Sequence, residues 1–335
     1  MDWTQIDWRI IDALRSGFLE GSVGKDYWTT QNRLDNYHHT FAQRIGWKWR
    51  FVLEELVRRG WSPPPGAVLD WGCGTGIASE VFLKSFFEPS PQVSSPAEAA
   101  PAQRPLPPIC LHDRSKLAIE SAKRNLRQHW PSLAIGQNRS DASVVLISHV
   151  IGELDESQLR AMVAELSTAT AVLWVEPGTQ ELGRRLMQVR EQLLGSFNVV
   201  APCTHSGSCP LLTPENERHW CHHFATAPQQ VYTDGNWVRF GRRTGIDLRS
   251  LPLSFIVLDK RPAPALPQGA GRMIGRPRGY KGYAMVFGCD AAGAGDFRLM
   301  KKHDREQFKL ASRGGLASLL QWRREGNELL AVAPL

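Results

Sequence analysis

No stretch of the sequence approaches the roughly 20 continuous apolar residues that a membrane-spanning helix requires. The opening residues, with Asp2, Trp3 and Asp7, are unlike the basic-then-apolar start of a secretory or transit peptide. The expectation is a cytoplasmic protein with no membrane partner. Cysteine is scarce, at six in 335 residues. That is too few for a disulfide scaffold in a chain of this size, and in a reducing compartment clustered cysteines are better read as metal ligands. Large apolar side chains are almost missing from residues 88–107, a Pro, Ser, Ala and Gln stretch that cannot offset the entropy of its own ordering. It is expected to be a mobile surface insertion that carries no chemistry.

What is present suffices for one large domain or for a large and a small one, since 42% of the residues are hydrophobic. Forty Lys and Arg against 33 Asp and Glu leave a formal charge of +7, which suits a phosphate-rich partner without demanding one. In residues 1–60 the apolar positions Ile6, Ile10 and Leu14, and later Trp47, Phe51, Leu53 and Leu56, recur at helical spacing, interrupted near Gly21 and Gly24. This predicts an N-terminal helical cap. Then strand and helix patterns alternate. Strands are predicted at 67–70, 109–112, 143–148 and 171–175, and helices at 77–87, 115–128, 156–167 and 180–194. Such alternation predicts an α/β fold with a mainly parallel sheet. Further strands are predicted at 253–258 and 283–288, making the last third a small β-rich lobe.

The first chemistry-bearing motif is Asp70-Trp71-Gly72-Cys73-Gly74-Thr75-Gly76, between the first strand and its helix. Glycines there let the backbone pass close to a ligand. A dinucleotide fingerprint spaces them G-x-G-x-x-G, whereas here they run G-x-G-x-G after an acidic residue. This form resembles motif I of class I methyltransferases, whose loop backs onto the amino-acid part of S-adenosylmethionine. In that family an acidic residue at the end of the second strand binds the ribose hydroxyls, and Asp113 stands in that place. A carboxylate suits a cis diol because it accepts two hydrogen bonds. The plainer reading is a tight turn followed by a helix N-cap, with Cys73 a small structural side chain in either case.

Ser148-His149-Val150-Ile151-Gly152-Glu153-Leu154 ends the fourth strand, where methyltransferases line the cofactor and substrate pocket, so Ser148 and His149 join the predicted cofactor-binding set of Asp70, Gly72, Gly74, Gly76 and Asp113. The segment lacks the Asn-Pro-Pro-Tyr or Asp-Pro-Pro-Tyr tetrapeptide that holds an exocyclic nitrogen, and neither Cys73 nor Cys110 has the setting of a catalytic nucleophile. His149 and Glu153 can be read as a base and its orienting carboxylate, or as a polar strand end followed by a helix-start acid. No catalytic residue is declared.

The second constellation is Cys203-Thr204-His205-Ser206-Gly207-Ser208-Cys209-Pro210, followed by Trp220-Cys221-His222-His223-Phe224. Three thiols with nearby histidines on loops point to a metal site. The fourth ligand is Cys289, His205, His222 or His223, and three unrelated buried cysteines are the bland alternative. The spacing is too wide for the C-x3-C-x2-C loop of radical S-adenosylmethionine chemistry.

Taken together, the glycine loop, Asp113-Arg114-Ser115, the 148–154 segment, Glu176-Pro177-Gly178-Thr179, the two cysteine segments and Lys281-Gly282-Tyr283 leading to Cys289 resemble one family. It is the bacterial and mitochondrial small-ribosomal-subunit methyltransferase-like proteins, which assist assembly of that subunit. The resemblance covers roughly residues 40–315, apart from the insertion. It implies a class I methyltransferase fold, S-adenosylmethionine as cofactor, and a [4Fe-4S] cluster on Cys203, Cys209, Cys221 and Cys289. Zinc is the alternative, because thiolates suit both metals. The implied partner is the small ribosomal subunit or its precursor, through rRNA. The extra His223 and the absence of a Trp-Gly-Asp ending depart from the family pattern. The basic residues Arg272, Arg276, Arg278, Lys281, Arg298, Lys301, Lys302 and Arg305 either meet rRNA phosphates or form a solvated face.

The resulting division is an N-terminal helical region at 1–62, a methyltransferase-like domain at 63–198, and a four-cysteine, basic lobe at 199–335, in a monomer. The favoured function is a ribosome-assembly or translation factor in which methylation is optional. The alternatives are an active rRNA methyltransferase and a zinc-stabilised methyltransferase of another substrate.

Overall fold

The computed structural model describes residues 3–20, 28–88, 104–136 and 141–335. The predicted break near Gly21 and Gly24 and most of the 88–107 insertion lie outside the described residues. The chain forms two compact units: residues 1–55, 62–175 and 225–251 make the first, and 56–61, 176–224 and 252–335 the second.

The first unit begins with helices α1 (Trp8–Leu19), α2 (Gln31–His39) and α3 (Phe41–Arg58), the last of which runs on into the second unit. Asp7 caps α1 by accepting from Arg9 N, and Thr30 caps α2 by accepting from Arg33 N, which satisfies helix-end donors that would otherwise be orphaned. The expected alternation follows: β1 (Ala67–Trp71), α4 (Ile77–Phe87), β2 (Ile109–His112), α5 (Lys116–His129), β3 (Ile135–Gly136), β4 (Ala142–Ser148), α6 (Glu156–Leu166) and β5 (Ala171–Pro177). These strands lie in the order β3-β2-β1-β4-β5, every pair parallel. Val144, Leu146, Ile147 and 171–175 are wholly buried, as strands covered on both faces must be. The sheet grows outward from β1 in both directions, and an open α/β sheet binds ligands beyond the strand ends where that order reverses.

Beyond α7 (Gln180–Leu193), β6 (Asn198–Ala201) and β7 (His223–Ala225), the chain returns to the first unit as α8 (Gln230–Thr233) and α9 (Gly235–Thr244). There Arg243 forks onto Asp12 of α1 at 2.7 and 2.6 Å, and Arg15 Nε donates to Thr244 O at 2.8 Å. Phe240, fully buried, packs edge-on to Phe41, and burying such a side chain contributes about 2 kcal/mol.

In the second unit β8 (Leu251–Asp259) pairs with β6 antiparallel and also with β7. The remainder is β9 (Ala270–Met273), β10 (Arg278–Tyr280), β11 (Tyr283–Asp290), β12 (Gly293–Met300), α10 (Arg305–Ser312), β13 (Leu319–Glu325) and β14 (Glu328–Pro334). Their order, β10-β11-β12-β14-β13-β9 with β9 also bonded to β11, closes a barrel. Alternate residues of β11 point inward, and Ala284, Val286, Phe297, Leu299, Leu320, Leu329 and Trp322 fill the interior. The Trp322 ring occupies the space that a Cβ on Gly288 would need, 2.8 Å away, so glycine at 288 is what lets the large ring close the core. Among the described residues no helix is long and apolar enough to cross a membrane.

Candidate cofactor pocket and four-cysteine site

The glycine loop leaves β1 where the strand order reverses. Gly72 N and Cys73 N both donate to His112 O, at 2.8 and 2.9 Å, and Gly76 N donates to Cys73 O at 2.7 Å. Gly74 N donates to Asp113 Oδ2 and Ser115 N to Asp113 Oδ1, both at 2.9 Å. The loop is thus fixed by its own backbone and by the end of β2. Gly72 has φ +72°, and a Cβ there would lie 2.6 Å from Val150 Cγ2. Gly76, at φ +82°, caps α4 against Ala122, 3.1 Å from where its Cβ would be. Side chains are excluded at both positions by conformation and by space together.

A cavity of about 550 Å³ opens over this loop, within the size range of small-molecule sites. Of the predicted cofactor residues, Gly72, Gly74, Asp113, Ser148 and His149 line it; Asp70 and Gly76 stand behind the wall. Asp70 is fully buried and accepts from Ser79 Oγ at 2.7 Å and Ser79 N at 3.3 Å. Burial raises its pKa to about 6, against the lowering effect of those two donors. Its role is to anchor the start of α4 beneath the loop. Cys73 is buried and its thiol is pushed well up by burial, consistent with a structural side chain.

Ser148 Oγ accepts from Trp49 Nε1 at 2.9 Å, and His149 Nε2 lies 3.4 Å from Lys48 Nζ. His149 holds a left-handed φ of +56°, a conformation that costs energy and tends to collect at functional sites. Burial, then Lys48 and Arg44, push its imidazole well below its ordinary pKa. A neutral ring facing an ammonium offers Nε2 as an acceptor and is a weak proton acceptor otherwise. Glu153 pairs with Arg114 at 3.4 Å, so the geometry gives His149 and Glu153 separate cationic neighbours.

The far wall, which no sequence motif marks, comes from α1–α3: Arg15, Phe18, Tyr37, Phe41 and Arg44, with Trp28 before α2. Burial and then Arg15 lower the Arg44 pKa to about 10, and among the described residues its buried Nε has no hydrogen-bond partner. A guanidinium in a pocket wall suits an anionic ligand group. Helical spacing alone marks these side chains as core.

In the second unit Cys203 and Cys209 lie on the segment after β6, Cys221 precedes β7, and Cys289 sits on the outward side of β11. All four are free thiols and only partly exposed. Burial, then Cys203, Cys209 and Cys289, push the Cys221 thiol well up. Burial foremost raises Cys209 to about 11, and burial with Cys203 and Cys209 raises Cys289. Cys209, Cys221 and Cys289 therefore each feel at least one other of the four. His223 Nε2 is 3.5 Å from Cys221 Sγ and His205 Nε2 is 3.7 Å from Cys289 Sγ. Among the described residues no group of three or more His, Cys, Asp or Glu side chains is arranged to hold a metal ion.

The loops that carry the thiols are pinned by buried guanidinium groups. Arg59 donates to Pro202 O at 3.0 Å, to Cys203 O at 3.2 Å and to Val200 O, and Arg272 Nε donates to Pro202 O at 2.9 Å. Arg190 donates to Gly207 O at 2.9 Å and pairs with Glu191, whose carboxylate accepts from Cys209 N at 3.1 Å. Burial alone would lower the pKa of Arg190, but Cys203 and Glu191 beside it hold it above its ordinary value. Arg184 NH1 reaches Leu211 O, Asn216 O and His219 O, at 3.1, 3.3 and 2.8 Å. No sequence motif marks these positioning arginines, and Arg272 stands out there only as part of a basic cluster.

The chain is similar in structure to a magnesium protoporphyrin IX methyltransferase from Synechocystis, at 10% identity and TM-score 0.37, over 75% of this chain and 97% of that one. It is likewise similar to the plantazolicin methyltransferase BamL, at 13% identity and TM-score 0.35, over 76% and 99% of the two chains. A precorrin-6y C5,15-methyltransferase from Geobacter metallireducens matches at 12% identity and TM-score 0.34, over 63% and 87%. No curated protein sequence matches. The family model described as mitochondrial small ribosomal subunit Rsm22 matches residues 48–315, most of the chain, and the protein belongs to that family.

Proposed function

We propose that the protein is an S-adenosylmethionine-binding factor of the small ribosomal subunit, a cytoplasmic monomer that contacts rRNA during assembly or translation and carries a [4Fe-4S] cluster. The observation that carries this reading is a glycine-loop pocket, closed by a carboxylate at the end of β2, in a chain of the Rsm22 family. When bound, S-adenosylmethionine supplies an electrophilic methyl group. Asp113 would accept from the ribose hydroxyls with the lone pairs left over after Gly74 N and Ser115 N. Gly72 and Gly74 leave room for the amino-acid portion, and the Arg44 guanidinium in the pocket wall would attract its carboxylate. Ser148 and His149 complete the wall. Because His149 is held neutral beside Lys48, binding is assigned to these residues and no general base is.

Cys203, Cys209, Cys221 and Cys289 would hold the cluster. An all-sulfur donor set suits iron-sulfur chemistry and also zinc. Four partly buried thiols close together are costly to ionise, and a metal that takes the thiolates removes that cost. His205 and His223 then serve as neighbours to the sulfurs, which tune a cluster by hydrogen bonding.

The test is sedimentation of the tagged protein in cell extract with ribosomal particles. Co-migration with small-subunit particles or their precursors, and not with large subunits, is expected. A protein that stays at the top of the gradient at low salt overturns the reading. Methyl transfer to a defined rRNA nucleotide by the purified protein would instead select the active rRNA methyltransferase.

A further inference from the structure

The barrel of the second unit has a topology more specific than closure. Five of its strands run β9-β11-β12-β14-β13 and back to β9, with α10 between β12 and β13. All neighbours are antiparallel except β12 and β14, which are parallel. That strand order, with a helix between the third and fourth strands, is the five-stranded Greek-key barrel of the OB-fold. Its second and third strands and the loop after its first strand form a surface that takes oligonucleotides or oligosaccharides. Here those are β11, β12 and residues 274–282.

The outward face of that sheet has two ends. At one, Cys289 and Phe287 are covered, since His219 stacks on Phe287 with ring centroids 4.2 Å apart. At the other, Tyr280 and Tyr283 stand opposite each other across the β10–β11 pair, with rings 4.9 Å apart and within 13° of parallel. Tyr280 is 46% exposed. Arg298 places its guanidinium 5.9 Å from the Tyr283 ring, and Lys281, Lys301, Lys302 and Arg305 are all exposed around it. Between 276 and 305 seven Lys and Arg meet three carboxylates. Of those, Asp290 is buried against Trp322 and Arg324, Asp304 caps α10, and only Asp296 reaches the face, 2.9 Å from Arg278.

We propose that this face binds single-stranded RNA, with unpaired bases stacking on the Tyr280–Tyr283 pair and phosphates running over Arg298, Lys301, Lys302 and Arg305. The proposal rests on the ribosomal reading and deepens it by naming where, and in what form, the RNA is held. Charge decides against an uncharged sugar polymer, which has no use for this ring of cations, and heparin in the test below stands for a charged one. The exposed Tyr280 ring beside the partly exposed Tyr283 ring decides between single and double strands, since paired bases offer no faces to stack on.

The test measures binding of a fluorescent 12-nucleotide single-stranded RNA, the matching duplex and heparin to the full-length protein by anisotropy. The single strand should bind more tightly than the duplex. Tyr280→Ala with Tyr283→Ala should weaken it about tenfold or more, the scale of removing one or two stacked bases, while Tyr280→Phe with Tyr283→Phe retains wild-type affinity. Lys301→Gln with Lys302→Gln should weaken binding and reduce the salt slope by about 0.7 for each phosphate no longer neutralised, without erasing the preference for single strands. An unchanged melting temperature in each variant shows that the fold is intact and that the effect is on binding. Equal affinity for single strand, duplex and heparin, or no effect of the alanine pair, overturns the inference. Should the alanine pair bind RNA normally while wild type sediments with small subunits, this face fails and the ribosomal reading stands. Tyrosine-dependent RNA binding by a protein that never joins small subunits gives the reverse.

Discussion

The two sites of this chain are built by opposite strategies. The pocket of the first unit rests on contiguous sequence: seven residues turn from β1 into α4, and their N–H groups are taken up by His112 O, Cys73 O and Asp113. Nothing bound is needed to fix that loop. The site of the second unit gathers thiols from positions 203, 209, 221 and 289, held near one another by arginines that grip loop carbonyls. Those arginines hold the backbone, while burial foremost, with neighbouring thiols, pushes the Cys209, Cys221 and Cys289 thiols up. The contiguous loop is fixed by its own backbone, whereas the dispersed thiols, on the reading proposed above, would be tied together by a bound metal. Removing that metal should leave the first unit folded and weaken the second.

The largest expected effect breaks the dispersed site. Cys289→Ser should abolish metal binding and destabilise the second unit by about 3 kcal/mol or more, a fall on the order of 10 °C in its melting transition. Chelation of the wild-type protein should do the same without any substitution. Differential scanning calorimetry should show the transition of the first unit unmoved in both cases. Full metal content and normal melting in Cys289→Ser would remove Cys289 from the site.

The next sharpens the contiguous site. Asp113→Asn keeps a side-chain oxygen but loses the charge, so affinity for S-adenosylmethionine should fall about 10- to 100-fold in titration calorimetry, the scale of one or two charge-assisted hydrogen bonds. Ligand-free melting should change by only a few degrees. A collapse of the ligand-free protein would mean that Asp113 serves the loop more than the ligand.

This contrast also explains what was legible in the sequence. The glycine spacing and Asp113 could be read because the motif is local, and β2 and α4 fall where the pattern places them. The cysteines could be assigned only through family resemblance, since spacing left histidines open as ligands. Arg44, Tyr37 and Arg15 were illegible as pocket wall, because a side chain at helical spacing has no mark that distinguishes a core position from a site. The barrel was mostly hidden as well. β12 carries Gly293, Gly295, Asp296 and Arg298, and β13 carries Gln321, Arg323, Arg324 and Glu325, so neither shows an apolar run like that of residues 283–288. The return of 225–251 to the first unit has no local signal, because Asp12–Arg243 and Phe41–Phe240 join residues about 200 positions apart.

A smaller effect probes the support behind the glycine loop. His38 Nδ1 lies 3.0 Å from Thr75 Oγ1, and burial, partly offset by Glu80, lowers its pKa from 6.5 to about 4. The unfolded chain thus takes up this proton more readily, and stability from a neutral His38 is present above about pH 6.5 and lost as pH falls toward 4. Asp70, raised to about 6, acts with the opposite sign over an overlapping range. Comparing wild type with His38→Gln cancels the Asp70 contribution. The stability of wild type relative to the variant should fall by up to about 1.4 kcal/mol per pH unit on acidification through that window. A pH-independent difference would show that His38 titrates normally.

The second unit is completed, in this account, by a bound iron-sulfur cluster, and anaerobic purification followed by iron, sulfide and zinc analysis with an absorption spectrum tests that most directly. About four irons and four sulfides per chain are expected, with a broad absorption near roughly 400 nm, all lost in Cys289→Ser. A colourless protein without iron or sulfide, whether or not it carries about one zinc, contradicts it.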